Sequence, residues 1–268
     1  MSRTVFMTGA TSGIGRAAAL ALAKPGTRLV LAGRSEERTR TVAQEVARAG
    51  GSAEFHALDL SSLGSVAEGA RAVTGPVDLL VADAAVAGRG TTTDGFELAF
   101  GVNHLGHFVL LELLLPRLLE ATSPRVVIVA SEAHRSARPP DWDGVKRKTR
   151  SLTGFREYSV SKLCNILHAG ELARRNPLVE VASVHPGVVA TRLWRSVPQP
   201  IRWLMTRTML SPEEGAAPVV RLCNADEIRS GSYWDREVER RPSALASDAE
   251  LAAELWERSD RWTRDFRS

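Results

Sequence analysis

Val5-Phe6-Met7-Thr8-Gly9-Ala10-Thr11-Ser12-Gly13-Ile14-Gly15 is the stretch on which the fold turns. The first four residues read as a strand, and an Ala- and Leu-rich run from Gly13 to about Lys24 reads as a helix. The glycines at 9, 13 and 15 permit a tight turn between them. They also let the backbone approach a pyrophosphate and let helix and strand pack closely, with the helix N-terminus facing the anion. A glycine-rich turn is a weak signal alone; the strand before it and the helix after it supply the context that makes it a nucleotide-binding candidate.

Outward from this turn, short β-branched runs alternate with helical patterns. Thr4 to Thr8, Arg28 to Ala32, Glu54 to Leu58, Val77 to Ala82, Arg125 to Ala130 and Val179 to His185 read as strands. Parallel neighbours require crossovers, and crossover helices cover both faces of the sheet, so the expectation is α/β: a single-domain, Rossmann-type, doubly wound parallel sheet spanning residues 1–268. No Pro/Gly/Ser-rich linker and no internal repeat divides the chain. The second strand ends at Ala32-Gly33-Arg34-Ser35, where such a fold meets the adenosine ribose. Arg34 and Ser35 there, in place of an acid, favour NADP(H).

Composition excludes other classes. The chain has 268 residues, 44% hydrophobic and 25% charged, which leaves out disordered, collagen-like and disulfide-scaffold proteins. A formal charge of +4, carried almost wholly by arginine, is too mild and scattered to argue for nucleic acid. Lys146-Arg147-Lys148 with Arg150 reads as a solvated loop. Cys164 and Cys223 match no metal spacing and read as free thiols of a reducing compartment. Met1 to Thr4 leaves no room for a leader, and Phe108 to Leu119, with Glu112 and Arg117 in it, falls short of a membrane span. The expectation is a cytoplasmic protein in which that stretch is a buried or interfacial helix.

Thr8 to Gly15, Asn103-His-Leu-Gly-His107, Ser131, Tyr158-Ser-Val-Ser-Lys162 and His185-Pro-Gly-Val-Val-Ala-Thr191 together resemble the short-chain dehydrogenase/reductases. The likeness is to their retinol dehydrogenase-like and protochlorophyllide reductase-like branch, and it runs from residue 3 to about 262. It implies a reductase that transfers hydride from NADPH to a ketone or aldehyde of a fairly apolar small molecule. By resemblance, Tyr158 is the proton donor, Lys162 tunes it and holds the nicotinamide ribose, Ser131 hydrogen-bonds the substrate oxygen, and Asn103 positions a water of a proton relay. Tyr158 and Lys162 lie four apart, on one helix face, so the ammonium can favour the phenolate.

The resemblance assigns the dinucleotide contacts to Gly9, Thr11, Ser12, Gly13, Ile14, Gly15, Arg34 and Ser35. Asp59 and Leu60 fall at the adenine contact. Pro186, Gly187, Val189 and Thr191 follow the sixth strand along the nicotinamide. Residues 192–210 resemble a substrate lid, and Trp142 and Phe155 belong to an insertion expected to wall the pocket. His104, His107, His134 and His168 form no metal-ligand set and read as packing or surface histidines. The helices holding Leu110 to Leu119 and Lys162 to Arg174 resemble those that pair subunits, which points to a homodimer or homotetramer.

One departure stands out. Where the family has Asn-Asn-Ala-Gly, this chain has Ala82-Asp83-Ala84-Ala85. Asp83 has no amide donor and Ala85 narrows the backbone approach, so binding at Asp83, Ala84 and Ala85 is weakened on this reading, though the cofactor is still expected to bind. Two rivals remain: an NAD(P)-dependent alcohol dehydrogenase working in the oxidative direction, and a catalytically silent nucleotide-sensing or scaffold protein of the same fold.

Overall fold

The structure is a computed structural model, and it describes residues 3–189 and 209–267. Eight strands form one sheet in the order β3-β2-β1-β4-β5-β6-β7-β8. They are β1 (Arg3–Thr8), β2 (Thr27–Gly33), β3 (Ser52–Ala57), β4 (Leu79–Ala82), β5 (Arg125–Val129), β6 (Glu180–His185), β7 (Ser232–Asp235) and β8 (Val238–Arg240). All neighbours run parallel except β7 and β8, which form an antiparallel pair at the edge. The first six match the strands read from the sequence to within one or two residues at each end. β7 and β8 were not read as strands: each is very short, and β8 is exposed.

The described helices are α1 (Gly13–Leu22), α2 (Glu36–Arg48), α3 (Leu63–Arg71), α4 (Leu98–Leu119), α5 (Phe155–Arg175), α6 (Pro212–Asn224) and α7 (Ala249–Arg267). They cover both faces of the sheet, as its apolar strands demand. Phe6 of β1 faces one core with Leu80, Val126 and Phe108, while its neighbours Val5 and Met7 face the other with Leu29, Val81 and Val127. The strand order reverses between β1 and β4, both of which pair from Thr8 and Ala82 at their carboxyl ends. That crevice is where ligands of open α/β sheets bind.

Two features of α4 escaped the sequence. Its helix begins ten residues before Phe108, so by length and composition it is apolar enough to cross a membrane, although most of it is buried inside the domain. Gly101–Leu105 within it is a π-helical turn. Gly101 and Gly106 lie where a Cβ would come within 2.3 Å of Thr92 Cγ2 and 2.7 Å of the Leu60 carbonyl, so the helix presses against the loops beside it.

Candidate active site

A cleft of about 840 Å³ runs along the carboxyl ends of β1, β2, β4, β5 and β6. It gathers Gly9, Thr11, Ser12, Gly13, Ile14, Arg34, Ser35, Asp59, Leu60, Asp83, Ala84, Ala85, Ser131, Tyr158, Lys162, Pro186, Gly187 and Val189 from distant parts of the chain. Gly15 and Asn103 stand behind this wall rather than on it. Thr191 and residues 192–208 lie outside the described residues. The base of that segment is held together, because Leu210 N–H donates to the Val188 carbonyl at 2.9 Å.

The glycine turn is built to be bare. Gly9 and Gly13 have φ of 79° and 56°. A Cβ on Gly9 would lie 2.7 Å from the Ala84 nitrogen, and one on Gly15 would lie 2.4 Å from the Gly9 carbonyl oxygen. The turn therefore brings the start of α1, with Ser12, Gly13 and Ile14, onto the cleft wall, a fit to a phosphate-bearing group. At the other end, Ser35 caps α2 by accepting from Arg38 N at 3.4 Å. Arg34 and Arg38 line that end of the cleft, and among the described residues neither guanidinium has a carboxylate partner. Arg38 was missed in the sequence, although the spacing of four from Arg34 across a helix start was a usable signal. Asp59 is engaged locally, accepting from Ser61 N at 2.9 Å and Ser61 Oγ at 2.7 Å.

In the middle of the cleft, Tyr158 and Lys162 share one face of α5, and Ser131 follows β5. Tyr158 and Ser131 both line the cleft, and Ser131 pulls the Tyr158 phenol downward. Burial pushes the phenol up to about 12, against the pull of Ser131, and Asp83 pushes in the same direction. Burial is the dominant influence on the phenol. Lys162 Nζ lies 5.7 Å from the Tyr158 ring centroid and donates to the Val129 carbonyl at 2.7 Å. Burial lowers its ammonium to about 8, with Asp83 opposing.

Asn103 is a clamp. Its Oδ1 accepts from Val86 N at 2.8 Å, and its Nδ2 donates to the Val86 carbonyl at 3.0 Å and to Ser161 Oγ at 2.9 Å. The side chain thus ties the loop after β4 to α5, the helix of Tyr158 and Lys162. Its backbone carbonyl receives His107 Nδ1–H at 3.1 Å, while His107 Nε2 accepts from Thr8 Oγ1 at 2.9 Å. His107 thereby braces the end of β1. His104 bonds Ser259, His134 bonds the Ser131 carbonyl, and His168 packs among Phe108, His104 and Trp256, so these three histidines are packing groups.

The insertion wall is half as expected. Phe155 lines the cleft with its ring 6.3 Å from that of Tyr158. Trp142 turns away, packing at a tilt against Trp262 of α7 with Arg258 over its face, and is held there by these aromatic and cationic contacts. Beyond Ser131, the ends of β5, β6 and β7 bring Glu132, His185 and Asp235 together. Glu132 is already engaged there by Arg135 and Tyr233.

The sequence matches the family described as short chain dehydrogenase over residues 3–140. It is 39% identical over 267 residues to a Streptomyces sp. (strain C5) protein named as the daunorubicin C-13 ketoreductase DnrU, covering 96% of this chain and 91% of that one. It is 37% identical over 283 residues to human retinol dehydrogenase 13, covering 97% and 84%. Among solved structures, an uncharacterised protein of Mycobacterium paratuberculosis superposes with a TM-score of 0.81 at 33% identity, covering 98% and 93%. A single-residue variant of the actinorhodin polyketide ketoreductase, crystallised with NADPH, superposes with a TM-score of 0.70 at 25% identity, covering 87% and 95%. Sheet order, the glycine turn and sequence likeness over nearly the whole chain agree: this protein belongs to the short chain dehydrogenase family, among its retinol dehydrogenase-like members.

Proposed function

We propose that the protein is an NADP(H)-dependent reductase of ketones or aldehydes on fairly apolar small molecules. The observation that carries the reading is the pair of cleft-lining hydroxyls, Tyr158 and Ser131, with the Lys162 ammonium 5.7 Å from the Tyr158 ring, in a cleft that Arg34 and Arg38 also line. The cleft fits a nicotinamide dinucleotide: the start of α1 on its wall suits the pyrophosphate, and Arg34 and Arg38 suit a 2′-phosphate. When bound, NADPH would supply the hydride that reaches the carbonyl carbon.

The chain's own residues do the rest. Ser131 donates a hydrogen bond to the carbonyl oxygen, and Tyr158 delivers its proton there as negative charge develops. A phenol held at about 12 keeps that proton until the oxygen becomes basic enough to take it. Lys162, tethered to Val129, keeps a positive charge beside the phenol and is placed to hold the ribose. Val86, Leu98, Val102, Phe155 and Val188 make the adjoining wall apolar, which sets the substrate class. Two relatives named as ketoreductases support reduction, whereas retinol dehydrogenase 13 supports the oxidative rival, which would use the same groups in reverse.

The test is NADPH oxidation with a panel of apolar ketones and aldehydes. Tyr158→Phe should lower kcat/KM by about 10²–10⁴-fold while NADPH still binds. Undiminished reduction by Tyr158→Phe would remove the assignment.

A further inference from the structure

Asp83, which stands where the family has an amide, follows β4 and reaches under the glycine turn. Its Oδ2 lies 2.5 Å from where a Cβ on Gly15 would be and 2.7 Å from one on Gly9, and the Gly15 amide faces it. The Gly9 carbonyl oxygen converges on the same place. An ionised carboxylate brings only acceptors into this crowd of backbone, whereas a protonated one carries an O–H donor, as an amide there would carry N–H.

Among the described residues, the charges around it are few. Lys162 on α5 is the attracting cation, and the Gly15 amide at the start of α1 adds a donor. Tyr158 on α5 is a neutral phenol, and His107 on α4, behind Thr8, is kept neutral by burial. Arg34 and Arg38 stand at the far end of the cleft. Desolvation accordingly outweighs these attractions and raises the Asp83 carboxyl to about 7.

We propose that Asp83 must be protonated for the glycine turn to hold a dinucleotide, so that binding takes up a proton and weakens as pH rises past neutrality. A pyrophosphate arriving at the turn brings negative charge beside Asp83 and displaces cleft water, and both favour the neutral acid. The carboxyl is therefore more basic in the complex than in the free protein. Below its free-state titration, affinity is independent of pH. Above it, affinity falls by up to about tenfold per pH unit. The inference rests on the dinucleotide reading of the cleft.

The experiment is a fluorescence titration with NADPH from pH 5.5 to 9.5, on the protein and on Asp83→Asn, with calorimetry at pH 8 in phosphate and in Tris. The expected result is tight binding by the protein up to about pH 7 and progressive weakening above it, with uptake approaching one proton at pH 8. Asp83→Asn should weaken less by pH 8 and take up fewer protons. Asp83 also raises Lys162, so the comparison is repeated in a Lys162→Met background, where the remaining difference belongs to Asp83. Parallel profiles, or no proton uptake by the protein, would overturn the proposal.

A second arm needs no dinucleotide. A carboxyl raised in the folded state stabilises least at high pH, so the Tm advantage of Asp83→Asn should widen from pH 5 to pH 8. A constant difference would show that Asp83 is not a buried neutral acid. Failure of both proteins to bind NADPH at every pH would instead overturn the dinucleotide reading, while the thermal arm still decides the state of Asp83.

Discussion

At the scale of single residues, the adenosine end of the cleft makes the sharpest prediction. Arg34 and Arg38 converge there, and a charge-assisted hydrogen bond contributes about 1.5–3 kcal/mol. Arg34→Ala and Arg38→Ala should each weaken NADPH binding by roughly 10- to 100-fold. NADH, which has no 2′-phosphate, should change little. Equal losses for the two dinucleotides in the same titration would assign the arginines another role. Tyr158 and Lys162 were legible as one helix face from their spacing of four, while Ser131 was legible only through the family resemblance. The grip of Asn103 on Val86 and Ser161 was not, since it joins a loop and a helix from separate parts of the chain.

At the scale of elements, backbone conformation decides where α5 begins. Gly154 precedes it with φ of 74°, and a Cβ there would lie 2.1 Å from the Gly88 carbonyl oxygen. Gly154→Ala combines left-handed strain with a backbone clash and should cost about 2–4 kcal/mol, read as a lower urea midpoint. Loss of activity should follow, because α5 carries Tyr158 and Lys162. A midpoint equal to that of the unsubstituted protein would mean that the two loops separate freely. The helix–helix layer of α4 and α5 holds His104, His107 and His168, all buried. Burial lowers the last two to about 4 and about 3, and lowers His104 as well. The unfolded chain binds protons at these groups first, so stability is present above about pH 6.5 and is lost as pH falls towards 4. The urea midpoint should drop between pH 7 and pH 5, and less steeply in His168→Phe. A flat profile in that window would contradict the neutral assignment.

At the scale of the whole molecule, α7 sets what the outside of the domain can do. It lies across α4 and α5, with Trp256 edge-on to Phe108 at 5.1 Å, His104 bonded to Ser259, and Arg267 paired with Glu112 at 3.1 Å. These are the helices that the family resemblance assigns to subunit pairing, and α7 occupies their outer face. Its stripe of Leu251, Leu255, Trp256, Ser259, Trp262 and Phe266 has helical spacing, a readable signal whose destination was hidden. Light scattering on a size-exclusion column should give the monomer mass of 29.1 kDa at micromolar concentration. A stable dimer that Glu112 or Trp256 substitutions dissolve would show that α7 mediates pairing instead of preventing it.

The sequence by itself determined the strand–turn–helix at Gly9 to Gly15, the run of parallel strands, and the identities of the hydroxyls and ammonium at the centre of the cleft. The first two depend on conformational demands met within about a dozen neighbouring residues, so local spacing carries them; the hydroxyls and ammonium were legible through the family's ordered motifs. Only the tertiary structure decided that Asp83 lies under Gly15, that Trp142 faces α7 and not the cleft, that α4 contains a π-helical turn, and that burial raises the Tyr158 phenol. Burial and the charges around a group come from residues far away in the chain. A desolvation strong enough to move a carboxyl to neutrality exists only once those distant elements have closed around it.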